Sequence, residues 1–328
     1  MRAITIPAFG DAGVLRTADL PVPEPGPGQV SIDVAYAGAN FAEILYRRGA
    51  VDVPLPYVPG IEVSGHIRAL GPDVAGLRVG QPVAALTIVD GGGYAEVTVT
   101  AADLVAPLDG PDGSALSLDV AAAVPSNSTT ALLVLDRIAR IEPGETVLVH
   151  AAAGGVGSQL GQAARLLGAG RVAGTVSRPA KIETARGFGY DEVVLRDDLA
   201  DRVKELTGGR GFDVAVDMVG GAARRASLDA LAPTGRLVVM GNASGADDVA
   251  VSANELWFTT KTVSGFNLAL FAATHPAETG RALRRAVAAA ARGDLRVQVE
   301  TLKLGDAAEA HRRIESGGTT GKLVLAVR

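Results

Sequence analysis

The densest group of residues able to do chemistry is the run Ala151-Ala152-Ala153-Gly154-Gly155-Val156-Gly157. It ends an apolar segment at 147–151 and opens a helical pattern at 158–167. Aligned on G-x-G-x-x-G, it places Ala152, Gly154 and Gly157 at the three small positions. Glycine at 154 and 155 lets the backbone approach a pyrophosphate, and glycine at 157 lets the helix pack closely on the strand. The open amides and positive dipole of the helix N-terminus favour an anion there. In this strand–loop–helix context the run reads as a dinucleotide site, with an ordinary strand-to-helix turn as the structural alternative.

The end of the next strand selects the dinucleotide. A site for an unmodified ribose carries Asp or Glu about 20 residues further on, to bind the 2′-hydroxyl. Here that stretch reads Gly174-Thr175-Val176-Ser177-Arg178-Pro179-Ala180-Lys181, with no acid before Glu183. Ser177 can donate to a 2′-phosphate, while Arg178 and Lys181 can neutralise it. Two solvated helix-start cations are the alternative. The expected cofactor is NADPH.

Composition narrows the remaining chemistry. There are no cysteines, which excludes disulfides, thiolate nucleophiles, iron–sulfur clusters and cysteine-ligated zinc. The four histidines, His66, His150, His275 and His311, form no close pair such as HExxH, so no metal is expected. A net charge of −5 without a long basic run gives no sign of a nucleic-acid surface. No stretch approaches 18 uninterrupted apolar residues, and the N-terminus lacks the apolar core of a signal peptide. The expected location is the cytoplasm.

The elements that must position these residues have two textures. The first hundred residues alternate with period two, as in Val30, Ile32, Val34 and Tyr36, and are punctuated by glycine and proline. They read as a small β-barrel-like unit. From Thr146 onward, strands at 147–151, 171–176, 193–195, 212–219, 236–240 and 262–268 alternate with helical segments. That spacing means βαβ units and a parallel sheet covered on both faces. The tail, with a helix at 277–291, a strand at 297–304, a helix at 307–315 and a strand at 322–327, is expected to return to the first unit.

The run Val147-Leu148-Val149-His150-Ala151-Ala152-Ala153-Gly154-Gly155-Val156-Gly157 resembles the cofactor loop of the medium-chain dehydrogenase/reductases, specifically their zinc-free quinone oxidoreductase branch. Asn40-Phe41-Ala42-Glu43 is similar to its N-F-x-D segment, and Pro59-Gly60-Ile61-Glu62-Val63-Ser64-Gly65 to its P-G-x-E-x-x-G turn. Gly92-Gly93-Tyr94-Ala95-Glu96, Thr130-Ala131, Gly241-Asn242-Ala243-Ser244-Gly245 and Gly321-Lys322-Leu323-Val324-Leu325 resemble further motifs, so the likeness spans nearly the whole chain. The fold implied is α/β: a GroES-like β-barrel catalytic domain at 1–122, completed by 269–328, plus a Rossmann cofactor domain, a doubly wound parallel sheet, at 123–268. Zinc-dependent relatives use a cysteine near 37–40 and a histidine after Gly60, where this chain has no cysteine and Ile61. Glu43 in place of Asp, and Gln81-Pro82 in place of Asp-Arg, read as drift at the surface or around the site.

The resemblance also implies site residues. Asn40 lies near the nicotinamide and acceptor, and Thr130 near the nicotinamide ring. Gly155 and Val156 meet the pyrophosphate, Val219 lies near the adenosine, and Gly241 and Asn242 beside the nicotinamide ribose. Phe266, Asn267, Leu268, Gly321 and Lys322 close over the nicotinamide end. Arg196 stands where the family often has Tyr and would add a third cation near the ribose phosphate, an exposed arginine being the alternative. Tyr46 is the candidate donor in the acceptor pocket; Asn40 as a turn cap and Tyr46 as a packing aromatic are the structural alternatives. Without a metal, hydride transfer to an already polarised quinone or α,β-unsaturated carbonyl needs only orientation, a donor and a dry cleft. An enoyl-thioester reductase or tailoring enzyme of polyketide or lipid metabolism is a second reading, with Arg47 and Arg48 as possible basic contacts and two solvated arginines as the alternative, and a low-turnover NADPH sensor is a third. Glu255-Leu256-Trp257-Phe258 before the sixth strand points to a homodimer through that sheet edge, the alternative being a patch covered by its own chain.

Overall fold

The structure, a computed structural model, describes residues 1–110 and 116–328. The chain divides into two compact units, residues 1–129 with 268–328 and residues 130–267. The division after Thr129 falls inside the Pro125–Leu132 helix.

The first unit is organised on the strand Gln29–Gly38. Its period-two pattern buries Val30, Ile32 and Val34 completely, in one core with Val63, Ile67, Val83, Tyr94 and Leu325. One edge pairs antiparallel with Glu62–Leu70. The other edge is shared: Val97–Ala101 pairs with residues 29–33, and the terminal strand Lys322–Ala326 pairs with residues 36–38. The seven-stranded sheet extends from Val299–Lys303 at one end to Val105–Pro107 at the other. The tail strands are therefore hydrogen-bonded members of the sheet that the N-terminal residues build.

Directly after this strand, the helix Phe41–Arg47 begins with Glu43 Oε2 accepting the Asn40 backbone N–H at 2.7 Å, one half of a capping box. Its last residue, Arg47, is fully buried. The guanidinium donates to Gly10 O at 3.1 Å, to Glu315 Oε1 at 2.5 Å and to His311 Nδ1 at 3.1 Å. A guanidinium only donates, so His311 accepts at Nδ1 and carries its proton on Nε2, which faces Tyr94 Oη at 3.4 Å. Burial, with Arg47 adding to it, pushes the imidazole down to about 3, so it stays neutral. The helix Ala307–Glu315 thus clamps the end of Phe41–Arg47 through a buried polar network.

The second unit is a parallel six-stranded sheet in the order Glu192–Leu195, Arg171–Val176, Thr146–Val149, Phe212–Asp217, Leu231–Val239, Thr262–Gly265. Numbered along the chain this is 3-2-1-4-5-6, the dinucleotide-binding arrangement with its crevice beside the first strand. The central strands are apolar throughout because both faces are covered: Val147, Leu148, Val149, Val214, Ala215 and Val216 are all fully buried. Trp257 and Phe258 lie on a short helix, Ala253–Thr259, before the edge strand Thr262–Gly265.

Removing Arg47 leaves Glu315, His311 and the Gly10 carbonyl without a buried donor. Arg47→Ala is expected to cost about 3–5 kcal/mol of unfolding free energy. Arg48→Ala breaks only an exposed pair to the same Glu315 and should cost less than about 1 kcal/mol. Denaturant unfolding of both variants checks this; equal losses would contradict the clamp.

Candidate active site

The glycine run forms the turn between strand Thr146–Val149 and helix Gly155–Leu166. The helix begins at Gly155, three residues before the sequence pattern placed it, with Gly154 as an extended N-cap. The first i to i−4 bond runs from Ser158 N to Gly154 O at 2.9 Å, so the amides of Gly155, Val156 and Gly157 form the acceptor-less first turn. Gly157 is obligatory: a Cβ there would stand 2.2 Å from the Ala151 carbonyl oxygen. Ala151 itself turns the chain with φ of 53°.

Ser177 and Arg178 follow the Arg171–Val176 strand and are exposed, while Lys181 is half-buried. Burial and then the neighbouring Arg178 charge push the Lys181 ammonium down. Strand register brings in Arg196. Leu195 pairs with Val176, so Arg196 and Ser177 leave adjacent strands at the same level. The Arg196 Nε is buried and has no hydrogen-bond partner. Three cations therefore gather where the second and third strands of the sheet end.

His150 sits at the base of the loop, fully buried. Ser227 Oγ donates to Ala223 O at 2.9 Å, so it accepts from His150 Nε2 at 2.7 Å, and His150 Nδ1 accepts from Thr175 Oγ1 at 2.7 Å. Burial, opposed by Asp217 and reinforced by Arg196, keeps this imidazole neutral. Further along the sheet, buried Asp217 accepts Val219 N at 2.8 Å and Arg224 Nε at 3.1 Å. Arg224 in turn donates to Gly241 O at 2.7 Å, which ties the turns bearing Val219 and Gly241 to one ion pair. Asn242 is exposed and donates to Ala246 O at 2.8 Å; Phe266 is buried and Asn267 exposed.

In the first unit, Asn40, Glu43, Glu62 and Lys322 meet in a buried cluster, all within 8% exposure. Asn40 Nδ2 donates to Glu62 Oε1 at 2.9 Å and makes longer contacts to Glu43 Oε1 at 3.3 Å and Gly38 O at 3.4 Å. Lys322 Nζ donates to Asn40 Oδ1 and pairs with Glu62 Oε1. An ammonium only donates and carboxylates only accept, so this orientation of the Asn40 amide is the one the neighbours permit. Glu62 Oε2 accepts Ser126 N at 2.7 Å, and Glu43 Oε1 accepts Ile61 N at 3.1 Å. Gly38 leaves the room this takes; a Cβ on it would lie 2.4 Å from Glu62 Oε1. Burial, countered by Lys322 and reinforced by Glu62, pushes the Glu43 carboxyl up to about 7.

Comparison with known proteins now decides the family. Residues 26–110 match the Alcohol dehydrogenase GroES-like domain, and residues 155–286 the Zinc-binding dehydrogenase domain. A quinone oxidoreductase of Pseudomonas aeruginosa is 34% identical over 333 residues, covering 99% of this chain and 99% of the relative. Among solved structures, a quinone oxidoreductase of Pseudomonas syringae pv. Tomato superposes with a TM-score of 0.91 at 34% identity, over 99% of both chains. The Escherichia coli quinone oxidoreductase, solved in complex with NADPH, superposes at 0.90 and 30% identity over 100% of both chains. The chain belongs to the quinone oxidoreductase branch of the medium-chain dehydrogenase/reductase superfamily.

Although one matched domain is named for zinc, this quinone oxidoreductase homologue has no cysteine. Among the described residues, no three histidines, aspartates or glutamates converge as a metal-holding group. No helix among them is long and apolar enough to cross a membrane. Two readings need correction. Arg47 is not a solvated basic residue but the fully buried anchor of its helix. Glu43, of the two places left open for it, is inside the site and not at the surface. Tyr46 is 8% exposed and packs edge-on to Tyr57, with ring centroids 5.8 Å apart. Thr130 is buried in its helix. Leu268 opens the Leu268–Thr274 helix, and Gly321 (φ 66°) leads into Lys322. Sequence reasoning missed Glu62 and Tyr57 as neighbours of the site; Glu62 lay inside a quoted motif, but nothing linked it to Lys322.

A carboxyl held at about 7 when folded, above its ordinary value, stabilises the fold fully below that ordinary value. The contribution is lost as pH rises towards 7. Unfolding free energy should therefore fall over this acid-to-neutral range in the wild type, and the fall should be shallower in Glu43→Gln. Identical pH profiles would contradict the assignment.

Proposed function

We propose that the chain is an NADPH-dependent reductase of quinones or α,β-unsaturated carbonyls. The observation that carries this reading is the group Ser177, Arg178, Lys181 and Arg196, with an orphaned Arg196 Nε and no acid before Glu183. A 2′-phosphate would supply the acceptor that this Nε lacks. The loop fits the pyrophosphate as well, since the first-turn amides of Gly155 and Val156 have no intrahelical acceptor and Gly157 has no Cβ to obstruct the turn. The relative solved with NADPH supports the same cofactor.

When bound, NADPH supplies a hydride. Val219, Gly241 and Asn242 line the adenosine and ribose side, held by the Asp217–Arg224 pair. Thr130, Phe266, Asn267, Leu268, Gly321 and Lys322 serve the nicotinamide end, Lys322 by fixing Asn40 and not by touching the ring. Asn40 and Tyr46 face the acceptor. Burial, then Glu43, pushes the Tyr46 phenol up, so it keeps its proton and can stabilise an oxyanion as a donor. The enoyl-thioester reading keeps only one of its two basic contacts, because Arg47 is buried and engaged, and the exposed Arg48 that remains is paired with Glu315.

Absorbance of NADPH monitored against quinones, enones and enoyl thioesters tests the reading. Oxidation with the first two classes is expected; tight NADPH binding without oxidation by any of them would favour a sensor. Arg178→Ala/Lys181→Ala should weaken NADPH binding on the order of tenfold to a hundredfold and NADH far less. Equal losses would overturn the 2′-phosphate assignment.

We also propose a second copy of the chain as partner at the Thr262–Gly265 edge. That strand ends the sheet, and before it Trp257 and Phe258 are stacked at 4.7 Å and 72% and 77% exposed. Trp257→Ser/Phe258→Ser should sediment as a monomer where the wild type sediments as a dimer. A wild-type monomer, or a dimeric variant, would remove the proposal.

A further inference from the structure

The cluster around Asn40 is unbalanced in charge. With all groups ionised, Glu43, Glu62 and Lys322 carry one net negative charge in a buried site, where Asn40 keeps 8% exposure and Glu43 and Glu62 keep none. One bound proton makes it neutral, and the geometry says where that proton goes. Glu62 faces the Lys322 ammonium directly and also accepts the Ser126 N–H. Glu43 has only amide donors, from the Asn40 backbone, Asn40 Nδ2 and Ile61. The other titratable groups that bear on the cluster are the phenols of Tyr46, Tyr57 and Tyr94, all raised by burial and therefore uncharged. Burial accordingly holds the Glu43 carboxyl at about 7, not in the ordinary carboxylate range.

The Asn40 amide is held unevenly. Its carbonyl oxygen is fixed by Lys322 and one N–H by Glu62, while the second N–H has only the two long contacts to Glu43 and Gly38. We propose that Glu43, Glu62 and Lys322 are positioning residues that form a one-proton clamp on Asn40. With the proton on Glu43, the second Asn40 N–H is free to donate to the acceptor oxygen. When Glu43 is ionised, that N–H is drawn back to the carboxylate. Lys322 keeps the amide from flipping in either state. The inference rests on the reading of Asn40 as the residue that meets the acceptor, but the titration of Glu43 does not.

The test has two arms on the full-length protein. In the first, the infrared carbonyl stretch of protonated carboxyls is followed against pH without cofactor. A band that disappears through neutrality in the wild type and is missing in Glu43→Gln is expected, and Lys322→Met should move its midpoint upward. In the second, turnover with a quinone or enone should fall by about tenfold per pH unit above neutrality in the wild type. Glu43→Gln, which is neutral at every pH, should lose that decline. No carboxyl titrating near neutrality in the wild type would overturn the clamp whether or not the variants fold. A titrating band with a pH-independent wild-type rate would overturn the control of Asn40. Absence of turnover with every acceptor, beside a normal Glu43 band, would instead refute the assigned reaction.

Discussion

The pairing of the last strand with the first long strand is the constraint on which the site depends. Val324 to Ala326 lie in antiparallel register with residues 36–38, and this brings Lys322 against Asn40, although 282 residues separate them. Without that register the ammonium would not reach Glu62, and the buried Glu43 and Glu62 would face each other without a cation between them. A buried charge is tolerable only when it is paired and hydrogen-bonded, so the register and the ion pair reinforce one another. The Arg47–His311–Glu315 network makes a second connection of the same kind, between a helix before residue 50 and one after residue 300.

The nucleotide-binding unit solves a different problem. A parallel sheet covered on both faces has apolar strands, so its polar groups collect at strand ends and on the loops beyond them. There the backbone must come close to a phosphate, which explains why glycines concentrate in the turn, and the charge of the ligand must be matched. His150 and Asp217 lie under these loops, each with its polar atoms satisfied by neighbours, and brace the turns without contributing a net free donor. Arg196 is the exception, a buried donor left open at the point where an anion is expected.

Much of this architecture was legible in the residue pattern, for physical reasons that also explain the errors. The period-two alternation at Val30, Ile32 and Val34 and the strand–helix alternation after Thr146 are local signals of burial, and the strands formed where those signals lay. The helix start was missed by three residues because Gly155 and Gly157 are poor helix formers, held helical by the loop's function and not by propensity. Arg47 was misread because an arginine on a short helix is ordinarily solvated, and two of the three partners that justify burying it, His311 and Glu315, lie more than 260 residues away. The Asn40 cluster was equally hidden. Each member sat in a recognisable motif, but their meeting is a property of sheet register, which no local pattern encodes.

The cofactor loop and the acceptor residues carry weight together only if hydride passes from NADPH to carbon. The most direct measurement uses NADPH deuterated at its transferable position with a cyclic enone, followed by mass and NMR analysis of the product. One deuterium on the carbon β to the carbonyl and a solvent-derived proton at the α-carbon are expected. An unlabelled product formed while NADPH is oxidised, or no oxidation with any enone or quinone, would contradict it.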